Sequence, residues 1–300
     1  MPISEQQLAT WTNPPSATKL AYTYDQVKKA IAASPILASK SLDIYLQGSY
    51  ANSTHIKGDS DIDIVVQLND TYAHDTSLLS PVEKQTFQRE FVASNYQWPQ
   101  FREDVRLALD SYFGNTVVRS RTKSIKLLAN DYRLNADIVP ALVHHNFTTY
   151  PTWNQAYSYK GIKFWTIPEN LEIINYPKLH ITNAEDKNTD TRTSGNYKHA
   201  VRIFKHFKRV LSETGAIDPK IAPSYFIECA LYNVPDQLFK TSYQNAVQHS
   251  FNHLLRQCNS AQLLTVSHQH GLFGAMPWQW NIQNASAFLQ RAEQYYLNGR

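Results

Sequence analysis

The pattern of apolar and polar positions changes character part-way along this 300-residue chain. The opening segment to Thr18 reads as an arm, after which Leu20, Ala21, Tyr24, Val27, Ala30 and Ile31 recur at helical spacing. The run at 43–47 (DIYLQ) is β-like and leads straight into Gly48; residues 61–67 read as a second strand, nearly continuous in apolar content except for its acids. A long polar helix is predicted over 81–96, with Pro81 at a first-turn position where its missing N–H does no harm, and another over 101–113. A β-rich stretch follows, at 116–119, 124–128, 133–139, 162–167 and 171–174. From about Pro177 the remainder reads as helices, at 197–211, 223–232, 241–258 and 285–297. The pattern predicts an α/β (α+β) protein: an arm over 1–18, a mixed-sheet core over 19–176 and a helical lobe over 177–300, with a ligand cleft between the lobes.

Composition narrows the class without naming an activity. An apolar share of 42% with 18% charged residues places the chain among globular proteins rather than disordered ones. A net charge of +4 suits a phosphate-bearing ligand but is too mild to imply an obligatory nucleic-acid partner. Cys229 and Cys258, both in apolar helix-like stretches, read as buried free thiols of a cytoplasmic protein. With no apolar run of membrane length and no basic-then-apolar leader, neither membrane insertion nor secretion is expected. The histidines form no zinc signature: His144 and His145 face opposite ways in a strand, and His268 and His270 fall in a loop.

The chemistry is concentrated in GSYANSTHIKGDSDIDIVV. Asp61 and Asp63 alternate with Ile62 and Ile64, so in a strand both carboxylates project from one face while the isoleucines enter the core on the other. Crowded carboxylates need compensation, and a divalent cation with hard oxygen ligands supplies it; Mg²⁺ is the commonest such ion beside phosphates. In RLNADIVPALV, Asp137 is a third acid in an apolar strand. Burying an isolated carboxylate costs several kcal/mol, so three such acids point to one shared metal site. Gly48 and Ser49 add backbone N–H groups and a hydroxyl that can cradle phosphates. Singly, each Asp reads as a turn, cap or salt-bridge residue and a lone Gly-Ser carries almost no signal; the ordered combination is what implies phosphoryl-type transfer by two metals. Asp59, after Gly58, reads as a turn residue or an outer member of the acidic run.

The Gly-Ser run, the Asp-x-Asp and the distal strand Asp resemble the nucleotidyltransferase superfamily of DNA polymerase beta. With LNADIVPAL, GIKFW, INYPKLH, NYKHAVRIFK and PSYFIECALYNVP, they resemble more narrowly the bacterial cGAS/DncV-like nucleotidyltransferases (CD-NTases), clade E, over about residues 46–234. The resemblance implies a polymerase beta-like mixed sheet with a helical lobe behind it. It also implies cyclic dinucleotide or trinucleotide synthesis for antiphage (CBASS) signalling to a downstream effector. Asp61 and Asp63 would bridge two Mg²⁺ ions, with Mn²⁺ able to replace them; Asp137 would hold the ion that activates the acceptor hydroxyl, and accept its proton.

The same resemblance assigns nucleotide contacts to Gln47, Gly48, Ser49, Lys198, Arg202, Ser224, Tyr225 and Asn175. Lys198, Arg202, Lys205 and Arg209 form a basic stripe on one helix. The first two match the family's phosphate-contacting helix, while the last two read as a solvated face. Pro223 and Ser224 alone are an ordinary helix start; in the family a Ser-Tyr pair here meets the phosphates and stacks on the base. Asn175 alone is an Asn before a turn; in clade E relatives an Asn in a matching position reads the edge of uracil, which an amide complements. UTP and ATP are therefore the expected substrates, and cyclic UMP–AMP or cyclic di-UMP the expected product of a monomeric enzyme. A templateless transferase acting on RNA, protein or a small molecule shares the three acids. A nucleotide-binding scaffold is the non-enzymatic alternative, which intact Asp61, Asp63 and Asp137 argue against.

Overall fold

The computed structural model describes residues 1–15, 18–58, 61–257, 262–276 and 278–299. Asp59 and Cys258, singled out above, lie outside the described residues. The chain forms two compact units, neither continuous in sequence: one comprises Met1–Ser16, Gly48–Asp59 and Lys178–Arg300, the other Ala17–Gln47 and Ser60–Pro177.

The second unit is built on a seven-stranded mixed sheet. Its strands are β1 (Leu42–Gln47), β2 (Asp61–Asp75), β3 (Val118–Ser120), β4 (Ile125–Leu127), β5 (Asn135–Thr149), β6 (Tyr157–Trp165) and β7 (Glu172–Asn175). They lie in the order β1-β2-β5-β4-β3, with β6 pairing both β5 and β7. Among these described strands, β2 and β5 alone pair in parallel. The parallel pair needs a crossover, supplied by helices Pro81–Glu90 and Trp98–Phe113 together with β3 and β4. Ile62, Ile64, Val65, Val66 and Leu68 are fully buried, so the expected alternation holds at the acids and gives way to two-sided burial beyond Ile64. The central strands are longer than the pattern suggests. A register shift between Leu68 and Tyr72 lets β2 resume its pairing with β5 along Tyr72–Asp75, a break that hides the second half of the strand from periodicity.

Helix Pro81–Glu90 starts as predicted, Ser80 and Glu83 closing a capping box around Pro81. It ends at Glu90 rather than running to 96. Phe91 turns extended and joins an aromatic cluster, its ring centroid 5.3 Å from Phe87, 5.6 Å from Tyr72 and 4.8 Å from His74. Tertiary packing of one aromatic overrides helical propensity there.

The first unit is helical, with a core that includes Tyr197, Phe204, Phe207, Phe251, Trp280, Phe288 and Tyr296. Most of the expected N-terminal arm, Met1–Ser16, belongs to it. Helix Glu5–Trp11 buries Leu8, and the Ile3 backbone N–H donates to the Tyr296 carbonyl at 2.9 Å. The Glu5 carboxylate accepts from the N–H groups of Tyr243 and Gln244, at 2.8 Å each, capping helix Tyr243–Gln257 from another part of the chain. Helices Pro177–Lys187 and Asp190–Thr193 were not resolved by periodicity, being short or weakly amphipathic. Cys229 is buried, which pushes its thiol up to about 12. No described helix is long and apolar enough to cross a membrane.

Candidate active site

Strand register assembles the acids. Asp63 and Asp137 are direct partners in the parallel β2–β5 pair, so their carboxylates lie side by side on one face, and Asp61 shares that face two residues earlier. The neighbouring ladders extend the row. Gln47 pairs with Asp63 on one side; Lys126 pairs with Asp137 on the other, and Arg119 with Lys126. One line across the sheet thus reads Gln47, Asp63, Asp137, Lys126, Arg119, which accounts for Gln47 among the predicted residues.

Lys126 and Ser124 join the acids, although neither stands out in the sequence. The Lys126 ammonium, on a side chain only 10% exposed, pairs with Asp61 Oδ2 and lies 3.5 Å from Asp137 Oδ2. The Ser124 hydroxyl donates to Asp137 Oδ1 at 2.9 Å. The signal was present in Ser124-Ile125-Lys126-Leu127, where polar and apolar residues alternate as they do at Asp61–Ile64.

The donor set suits a hard divalent cation, since carboxylate and hydroxyl oxygens converge on one strand face. It is not closed around a single point, however. Among the described residues no three His, Cys, Asp or Glu side chains stand ready to hold a metal ion, and the Lys126 ammonium lies where Asp61 and Asp137 would share one. The acids are thus charge-compensated by a lysine, and Asp61, Asp63 and Asp137 are the residues that would hold a metal.

Asn175 closes β7 opposite Ile162 of β6, and its carboxamide makes no hydrogen bond to the described residues. The neighbouring Gly161 explains how it is held. A Cβ at Gly161 would stand 2.6 Å from the Asn175 carbonyl oxygen and 2.9 Å from two ring carbons of Tyr176. The glycine of GIKFW is there because the chain at Asn175–Tyr176 lies directly on it.

The remaining predicted contacts belong to the helical unit. Gly48 begins a single helical turn, Gly48–Ala51, at φ 68°, a conformation glycine adopts without strain. Ser49 accepts from the Thr54 N–H through its carbonyl at 2.8 Å. Tyr225 is 42% exposed, its ring 5.5 Å from the buried His180, and Ser224 opens helix Ser224–Tyr232. The Tyr225 ring also meets Phe226, with centroids 5.4 Å apart.

The basic stripe departs from expectation. On helix Asn196–Glu213, Arg202 is buried and donates to the carbonyls of Thr12 and Ser53. Burial pulls its guanidinium down to about 10. Lys205 donates to the Thr54 carbonyl and Arg209 to that of Lys57, both at 2.9 Å. Lys205 is only 3% exposed, so the later half of the stripe is not a solvated face. Arg202, Lys205 and Arg209, three and then four residues apart, instead give charge-assisted bonds to the carbonyls of Ser53, Thr54 and Lys57 in the segment that follows Gly48. Lys198 pairs with Glu185. In this structure the Arg202 guanidinium is thus engaged with backbone carbonyls.

An Asp-x-Asp strand paired in parallel with a third strand Asp, on a mixed sheet, defines a nucleotidyltransferase. Residues 32–124 match the nucleotidyltransferase domain, and residues 182–297 match the cGAS/DncV-like nucleotidyltransferase C-terminal helical domain. The chain is 36% identical to the cyclic nucleotide synthase CdnE01 of Staphylococcus haemolyticus over 99% of both chains. It is also 36% identical to the cyclic UMP-AMP synthase of Rhodothermus marinus, over 97% of this chain and 96% of that one. The solved structure of R. marinus CdnE with Apcpp and Upnpp superposes with a TM-score of 0.87 at 33% identity, covering 99% of this chain and 97% of the other. The cyclic dipurine nucleotide synthase of Elizabethkingia meningoseptica is 34% identical over 80% of this chain and 79% of its own. The chain belongs to the cGAS/DncV-like nucleotidyltransferases and is an enzyme of nucleotidyl transfer, within a family that generally uses divalent metal ions.

Proposed function

We propose that this enzyme joins two nucleoside triphosphates, at least one of them UTP, into cyclic UMP–AMP or cyclic di-UMP with release of pyrophosphate. The observation that carries the transfer chemistry is the alignment of Asp61, Asp63 and Asp137 on one strand face. A ribose 3′-hydroxyl attacks the α-phosphorus of a bound triphosphate; the new O–P bond forms as the α–β bridging P–O bond breaks and pyrophosphate leaves. Asp137 takes the hydroxyl proton, and the Ser124 hydroxyl fixes its rotamer. Bound Mg²⁺, which Mn²⁺ can replace, would lower the pKa of the acceptor hydroxyl and neutralise charge on the phosphates. A second transfer of the same kind closes the ring.

The pyrimidine is supported by the placement of Asn175 at the end of β7, and by a relative, matched over nearly its whole length, that is a cyclic UMP-AMP synthase. Overall identity cannot make this choice, since a dipurine synthase is 34% identical to the chain. Gly48, Ser49, Lys198, Ser224 and Tyr225 would hold triphosphate and base. The enzyme would act as a cytoplasmic monomer in antiphage signalling, its product read by a cyclic-dinucleotide-sensing effector, without an obligatory nucleic acid. Mass spectrometry of the products from four labelled NTPs with Mg²⁺ tests the reading. The wild type should give a uridine-containing ring, and Asp61→Asn/Asp63→Asn should lower the yield by at least about a thousandfold. Undiminished product from the double variant would sink the mechanism, and purine-only product would sink the role of Asn175.

A further inference from the structure

The charge balance of the acidic row points to a positioning residue. We propose that Lys126 is the resident counter-cation of the metal-free enzyme: it bridges Asp61 and Asp137, keeps both carboxylates on the reacting face, and releases Asp61 when a divalent cation binds. The inference rests on the metal-centre reading given above.

Three observations converge on it. First, Lys126 stands directly opposite Asp137 in the β4–β5 ladder and reaches past it to Asp61 on β2, spanning three strands of the sheet. Second, its side chain is 10% exposed, against 42% for Asp61 and 27% for Asp137. The ammonium therefore comes from the sheet side, while the carboxylates face outward, where a metal-bound nucleotide would arrive. Third, Asp137 does not depend on the lysine alone, because Ser124 holds its other oxygen at 2.9 Å. Withdrawal of Lys126 from Asp61 leaves Asp137 oriented. The weaker of the two ammonium contacts, 3.5 Å to Asp137, can persist while the stronger one opens.

The physical logic is compensation by exchange. Three carboxylates on adjacent register positions repel one another. A tethered ammonium offsets that repulsion without a metal, and a divalent cation offsets it better, so the two compete for Asp61. A lysine suits the part because its ammonium is a compact charge on a flexible stem, able to move by a few ångström without disturbing the strand.

Mn²⁺ titration of the nucleotide-free protein, with free Mn²⁺ read by electron paramagnetic resonance, tests this apart from turnover. Lys126→Met should bind Mn²⁺ at least about ten-fold more tightly than the wild type, and Lys126→Arg should not. In EDTA the melting temperature of Lys126→Met should fall below wild type, and Mn²⁺ should raise it by more than it raises wild type. Equal, measurable Mn²⁺ affinity in wild type and Lys126→Met overturns the exchange and leaves the metal centre standing. Absence of Mn²⁺ binding in both proteins overturns the metal centre and the exchange together.

Discussion

Gly161→Ala is the smallest change that tests how the end of β7 that carries Asn175 is held, and with it the proposed reading of uracil. The added methyl would meet the Asn175 carbonyl oxygen at 2.6 Å and the Tyr176 ring at 2.9 Å, where ordinary contact begins at 3.4 Å. The neighbours must part by roughly 0.8 Å, and the closer one is backbone, which cannot rotate away. Overpacking of this kind costs about 1–3 kcal/mol of stability. That is tolerable in a domain with a fully buried centre. The functional cost is larger because Asn175 ends β7 at this contact and its ladder partner Ile162 adjoins Gly161. A misplacement near 1 Å lowers a rate by about a hundredfold. With UTP and ATP together, kcat/KM for uridine incorporation should fall about 10- to 100-fold. Pyrophosphate release supported by ATP alone, whatever its level, should change by less than about threefold. The assay is separation of labelled products from mixed NTPs, with initial rates for each base. Unchanged uridine incorporation, or an equal loss with every base, would refute the argument that Gly161 acts through Asn175.

Acid should weaken the sheet unit through His144, which is 1% exposed and whose imidazole is pulled down to about 4, first by burial and then by Lys163, against the opposing pull of Asp75. The unfolded chain holds the extra proton between about pH 6.5 and 4, so this contribution is complete above pH 6.5 and is lost on acidification; about 3 kcal/mol is at stake, and His144→Leu should flatten the pH dependence of the urea midpoint over that window. Arg202→Met leaves the Thr12 and Ser53 carbonyls without their donor, and should destabilise the protein by about 2–4 kcal/mol in denaturant titrations and raise the KM for NTPs more than it lowers kcat; a fall in kcat with KM unchanged would count against a role in holding the Gly48 segment. Glu5→Ala removes two bonds to the start of helix Tyr243–Gln257 and should cost about 1–2 kcal/mol, with faster amide exchange at Tyr243 and Gln244; wild-type exchange there would show that the helix does not need this cap.

What the sequence makes legible follows from how local the physics is. Asp61 and Asp63 announce themselves because strand alternation is a two-residue property, and their isoleucine neighbours are fully buried as that alternation requires. Asp137 needs only its own strand to be read. The ladder beside it is a different matter. Nothing within a few residues of Lys126 says that it stands opposite Asp137, since that is a fact of strand order, β2-β5-β4, and not of either segment alone. The docking of the N-terminal segment escapes the pattern for the same reason. Glu5 finds its partners at Tyr243 and Gln244, and Ile3 at Tyr296, and no periodicity joins positions so far apart.

The basic stripe carries the sharper lesson about charge. Lys198, Arg202, Lys205 and Arg209 have the spacing of a phosphate-binding face, and in a nucleotidyltransferase that reading is natural. Yet a guanidinium buried to 5% exposure must satisfy its donors inside the protein, and the acceptors Arg202 finds are backbone carbonyls. One of them, Thr12, follows the N-terminal helix, and the other, Ser53, lies just past the helical turn opened by Gly48. Arg202, Lys205 and Arg209 thus fix the segment that follows Gly48 and Ser49, while Lys198 pairs with Glu185. Burial does not separate these cations, since Lys198 is 6% exposed and Arg202 5%; the acceptor does, a carboxylate for Lys198 and backbone carbonyls for Arg202, and spacing along the helix reports neither.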